Sequence, residues 1–84
     1  ASTFFVRATG ESMNKAGIYE GSLLVVDKSV EPTNNKIVIA VVNGEFTVKR
    51  LKLVNNQIFL LPESTHEDFR PIRLIETEET YICG

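Results

Sequence analysis

The sequence holds one cysteine, one histidine and no apolar run long enough to cross a bilayer. Cys83 has no second cysteine to pair with, so an internal disulfide is excluded and a reducing compartment suits the chain. One His and one Cys give no metal-ligand spacing, and neither a metal nor another cofactor is expected. Without an 18-residue apolar run or a basic-then-apolar leader, the expected location is cytoplasmic, away from the membrane. Excess positive charge is missing too. A net charge of −2 argues against a stand-alone nucleic-acid binder, so any role at DNA would run through a partner. Repeats, low-complexity tracts and sustained i, i+3, i+4, i+7 patterns are absent as well, which leaves little room for helix.

What is present reads as one small, mostly β domain over residues 1–84. Hydrophobic residues make up 43% and charged residues 24%, an ordinary globular balance. A chain this short buries only about 60% of its unfolded surface, so stabilisation by a partner chain is plausible. Short β-branched runs alternate with turn residues. Thr3–Ala8 and Leu23–Asp27 read as strands, and "KSVEPTNN" reads as a loop around Pro32 and Asn34-Asn35. Between the first two strands, Gly10–Gly21 holds three of the five glycines and room for at most one short helical turn. "KIVIAVV-NG-EFTVKRLKL" predicts a hairpin, since Asn-Gly is the preferred pair for a two-residue type I′ turn. A second hairpin flanks Asn55-Asn56, and Arg70–Ile75 and Thr80–Cys83 read as two further short strands.

Counting outward from Asn43-Gly44 sets a register in which Val42 faces Glu45 and Val38 faces Lys49. Lys49 then shares a face with Thr47, Leu51 and Leu53, and with Val38, Ala40 and Val42 across the ladder. A lysine on so apolar a face, without a carboxylate, loses hydration, which favours its neutral amine and makes it a candidate base. Ser12, in "TGESMNKAG", is the matching candidate nucleophile: Gly10 permits a tight turn, and a Ser-Lys pair is a known variant of triad chemistry. From the residues alone, the plainer readings are a lysine snorkelling at a sheet edge and a serine serving as a turn or N-cap residue.

Motif order adds to this. "GESM", "GIYEGSLLVVD", "KIVIAVVNGEFTVKRLKL" and "FLLPES" resemble, in that order and from about Phe4 to Pro71, the catalytic domain of the LexA/UmuD family of self-cleaving peptidases. "ASTFFVRATGESM" and "VNGEFTVKRL" look closest to its UmuD branch. The resemblance implies a small LexA/signal-peptidase-like β-fold, with Ser12 as nucleophile and Lys49 as general base. It also suggests the backbone N–H groups of Ser12 and Met13 as oxyanion donors. It implies a bacterial SOS-response protein that cuts its own chain upstream of this domain when it meets a recombinase (RecA-type) filament on damaged DNA. In UmuD-like members the shortened form is a homodimer that joins the catalytic subunit of an error-prone translesion polymerase. In LexA-like or phage-type repressors the same chemistry separates a DNA-binding domain from a dimerisation domain.

The likeness has departures. Gly10-Glu11 replaces the usual Gly-Asp, and Gly21-Ser22 stands where Gly-Asp is common. The scissile bond is expected upstream of residue 1, and the strand that usually closes such domains is expected to lie beyond Gly84. The family cuts Ala-Gly or Cys-Gly bonds, but Ala16-Gly17 and Cys83-Gly84 read as coincidences. His66 reads as a surface residue, and Glu76–Thr80 ("ETEET") reads as a solvated turn. Phe4 and Phe5 must point to opposite faces of their strand. A type I signal peptidase shares the Ser-Met pair and lysine strand, but "LKLVNNQ" follows the lysine here instead of that family's Gly-Pro-containing segment. A structural dimer module with a silent Ser12 and Lys49 is the remaining alternative.

Overall fold

Two asparagine-centred turns organise the main sheet. Asn43 and Gly44 both take positive φ (51° and 83°), and Asn55 and Asn56 do the same (51° and 64°). Paired positive φ values make type I′ turns, whose twist matches that of the flanking strands. They tie β3 (Ile37–Val42) to β4 (Glu45–Val54), and β4 to β5 (Gln57–Leu61), as successive antiparallel hairpins. The observed register has Val42 opposite Glu45 and Val38 opposite Lys49, as the count from the turn predicts.

The computed structural model describes residues 2–66 and 68–84. Besides these three strands it contains β1 (Thr3–Arg7), β2 (Leu23–Asp27), β6 (Ile72–Leu74) and β7 (Tyr81–Ile82). β1 and β2 form a separate antiparallel pair, and the other five make one sheet in the order β6-β5-β4-β3-β7. The only helical element described is a 3-10 turn at Asn14–Ala16, within the glycine-bearing stretch where one short helical turn was expected. Among the described residues no helix is long and apolar enough to cross a membrane.

Three strands are shorter than their sequence patterns. The first ends at Arg7, although the Ala8 N–H still donates to the Ser22 carbonyl. The run from Arg70 narrows to Ile72–Leu74, because Pro71 has no N–H to offer a ladder. The last narrows to Tyr81–Ile82, while Cys83 continues the pairing through one bond to the Ile39 carbonyl.

One face of the five-stranded sheet forms the core. Val38, Ala40, Leu51, Leu60 and Leu74 are buried together, with Val42, Ile58, Ile72 and Ile82 packed around them. These positions share a face by register, and Lys49 belongs to the same face. β3 is buried on both sides, since Ile39 and Val41 are covered as well as Val38 and Ala40. That explains its uninterrupted apolar run. β1 and β2 behave differently: Phe4 is half-buried with the Lys28 ammonium 5.8 Å from its ring centre, whereas Phe5 is 66% exposed. The acidic run folds as a turn closed by the Thr77–Thr80 bridge. Its Glu79 carbonyl and Thr80 hydroxyl accept the backbone N–H groups of Gly44 and Asn43.

Leu60 has no solvent exposure and Leu53 has 45%. Leu60→Ala is expected to lower unfolding stability by about 2–5 kcal/mol. Leu53→Ala should change it by less than about 1 kcal/mol. Urea titration of the two variants checks this ordering.

Candidate active site

Ser12 lies in the loop between β1 and the 3-10 turn, where three features fix the backbone. Gly10 takes φ +77°, a conformation that side-chain-bearing residues rarely adopt, and its N–H donates to the Glu20 carboxylate. Met13 is buried, and its carbonyl accepts the N–H groups of Ala16 and Ile18. Gly17, at φ +81°, caps the 3-10 turn by donating its N–H to the Asn14 carbonyl. The Ser-Met pair thus joins a half-buried hydroxyl to the side chain that anchors its loop.

Lys49 stands on β4, the middle strand of the five, so the sheet-edge reading is corrected. Only 7% of its surface is exposed. Its Nζ lies 2.8 Å from Ser12 Oγ and donates to Thr47 Oγ1 at 2.6 Å. Burial pushes the amine below its ordinary value of 10.5. Among the described residues the one ion pair is Arg50–Glu63, so no carboxylate restores the charged form of Lys49. Two residues far apart in sequence are therefore brought into direct hydrogen-bond contact. Thr47 was legible as a neighbour on the same face but not as a partner of the amine.

Ser12 and Lys49 open into a cleft of about 410 Å³, walled by Val6, Ala8, Ile39, Phe46, Val48 and Phe69. Arg7, Thr9, Glu11 and Thr47 line it as well, so apolar walls alternate with polar and charged groups around the Ser12–Lys49 contact. His66 is exposed and lies outside it, with its ring edge-on to Phe69 at 6.1 Å. The N–H groups of Ser12 and Met13 have no protein acceptor among the described residues, a condition any oxyanion donor must meet. Ala16-Gly17 is held in the 3-10 turn, and both Cys83 and Gly84 bond to Ile39.

Sequence reading missed the segment after β5. The Glu63 N–H donates to the Ser12 carbonyl at 2.8 Å, and the Ser64 hydroxyl donates to the Glu11 carbonyl at 2.7 Å. The Glu63 carboxylate receives Nε and Nη2 of Arg50 at 2.6 and 2.9 Å. The signal available was "FLLPES", a proline-terminated strand followed by two side chains able to hydrogen-bond a loop.

The contact between a buried lysine amine and a serine hydroxyl is the chemical feature of this cleft, and comparison with known proteins supplies the class. The family description Peptidase S24-like matches residues 1–84, and the chain belongs to that family. It is 53% identical over 72 residues to Protein ImpA of Salmonella typhimurium, covering 86% of this chain and 49% of that protein. It is 56% identical over 62 residues to Protein SamA of Salmonella typhimurium strain LT2, covering 74% and 44%. With the LexA repressor of Bordetella pertussis it shares 45% identity over 81 residues, covering 96% and 37%. The chain thus spans about half the length, or less, of these relatives.

A depressed amine has a consequence for stability. The unfolded chain binds the Lys49 proton more tightly than the folded one, so stability rises with pH between the folded pKa and 10.5. Below that window the folded protein bears the whole penalty, about 1.4 kcal/mol for each unit of depression. Lys49→Met should therefore melt at a higher temperature than the parent at pH 7, with the difference shrinking as pH approaches 10.5. Calorimetry across this range reads both.

Proposed function

We propose that this domain is a serine endopeptidase working through a Ser12–Lys49 dyad on a peptide bond of its own protein. The observation that carries the reading is the 2.8 Å contact at the head of a cleft between a serine hydroxyl and a buried lysine amine that has no carboxylate partner among the described residues. In this scheme the neutral Lys49 amine takes the Ser12 hydroxyl proton as Oγ attacks the scissile carbonyl carbon. The oxyanion that forms is met by the backbone N–H groups of Ser12 and Met13. Collapse breaks the C–N bond, and the Lys49 ammonium returns its proton to the leaving amine. Water, deprotonated by the same amine, then hydrolyses the acyl-enzyme and frees Ser12. Thr47 Oγ1 accepts an N–H of Nζ at 2.6 Å, and in this scheme the lone pair of the neutral amine accepts the Ser12 hydroxyl proton.

The biological reading is UmuD-like. Self-cleavage is promoted by a recombinase filament, and the processed form is a cytoplasmic homodimer serving a translesion polymerase in the SOS response. The "VNGEFTVKRL" strand and the relatives ImpA and SamA support it. A second reading, the self-cleaving half of a transcriptional repressor, is favoured by the match to a LexA repressor over 96% of this chain. Both readings use the same dyad.

The test supplies the domain with a Ser12→Ala full-length relative that contains the upstream segment, and follows cleavage from pH 6 to 10. The base must be neutral, so the rate should climb with pH and level off above the Lys49 pKa, with its midpoint below 10.5. Ser12→Ala and Lys49→Ala in the added domain should each reduce the rate by about 10³-fold or more. Cleavage that survives either substitution contradicts the dyad.

A further inference from the structure

We infer that Glu63 and Ser64 form a positioning strap that sets the peptide planes on both sides of the nucleophile, and that Arg50 holds the strap to the base's own strand. The inference rests on the dyad reading and adds residues that take no part in the proton transfer.

Two carbonyls are gripped. The Ser64 hydroxyl donates to the Glu11 carbonyl, and the Glu63 N–H donates to the Ser12 carbonyl. The Glu11 carbonyl shares a planar peptide with the Ser12 N–H, and the Ser12 carbonyl shares one with the Met13 N–H. Fixing each carbonyl therefore fixes the opposite-pointing N–H, and these are the two groups assigned to the oxyanion. Donors on the carbonyl oxygens also polarise the same amides, which strengthens their N–H groups as donors. A third bond, from the Lys15 N–H to the Glu63 carbonyl at 2.9 Å, ties the strap to the loop on the far side of Ser12.

The strap needs an anchor because Pro62 ends the β5 ladder just before it. Arg50 supplies one through a two-point contact with the Glu63 carboxylate, and its Nη1 also donates to the Asn35 carbonyl at 3.1 Å. The guanidinium holds the Glu63 carboxyl below the usual carboxylate range, so the contact persists through neutral pH. Arg50 follows Lys49 directly and points to the opposite face of β4. One short stretch of β4 thus places the base on one face and, through Glu63, the nucleophile's backbone from the other.

Labelling of Ser12 by a fluorophosphonate reads the alignment of nucleophile and oxyanion donors without a peptide substrate. Glu63→Ala and Ser64→Ala should each lower kinact by about ten- to a hundredfold with KI unchanged. The pH midpoint of labelling should stay where it is, because the burial of Lys49 is untouched. Glu63→Gln, which still accepts from Arg50, should recover most of the rate. Melting curves recorded alongside show that each variant is folded at the assay temperature, where a role in stability alone would leave kinact at the parental value. Parental kinact in folded Glu63→Ala and Ser64→Ala overturns the strap and leaves the dyad standing. A parent that fails to label at Ser12 at any pH overturns both.

Discussion

A lysine ammonium excluded from water is the constraint around which the rest of the site is arranged. Lys49 occupies a core position of the central strand, next to residues whose burial holds the sheet together, and has two hydroxyls but, among the described residues, no carboxylate beside it. Hydration lost without a compensating charge moves the equilibrium toward the free amine. A carboxylate within salt-bridge range would restore the ammonium and remove the proposed base. The same burial that makes the chemistry available withholds stability, a common trade at functional sites.

Placing the partner hydroxyl is a problem of loop geometry. Strands position Lys49 by register alone, but Ser12 stands on irregular backbone and must be fixed by separate means. A buried methionine, two glycines with positive φ, the Glu20 carboxylate and the Glu63–Ser64 segment all act within a few residues of it. Most of these contacts join residues distant in sequence. The loop is therefore defined only when β2, β5 and the segment after β5 are in place, and the position of the Ser12 hydroxyl is a product of the whole fold.

Local rules account for what the sequence revealed. Asn43-Gly44 determines its turn, the turn determines the register, and the register puts Lys49 on the apolar face. The pairing of Ser12 with Lys49 was only a weak chemical suggestion until the resemblance strengthened it, since no pattern within "GESM" states which strand lies across from it. The position of β4 in the middle of the sheet was hidden for a similar reason. Strand order depends on β5, β6 and β7 flanking the first hairpin, and those pairings are non-local. Arg50 and Glu63 were invisible as partners because each is an ordinary surface charge until the sheet brings them together.

The most direct test of the account is the ionisation of Lys49 itself, followed by NMR on protein with isotope-labelled lysine side chains. The account predicts that the Lys49 signal titrates clearly below 10.5, as burial of the amine requires. A midpoint at or above 10.5 would mean that an ammonium stands beside Ser12, and the proposed base would not exist.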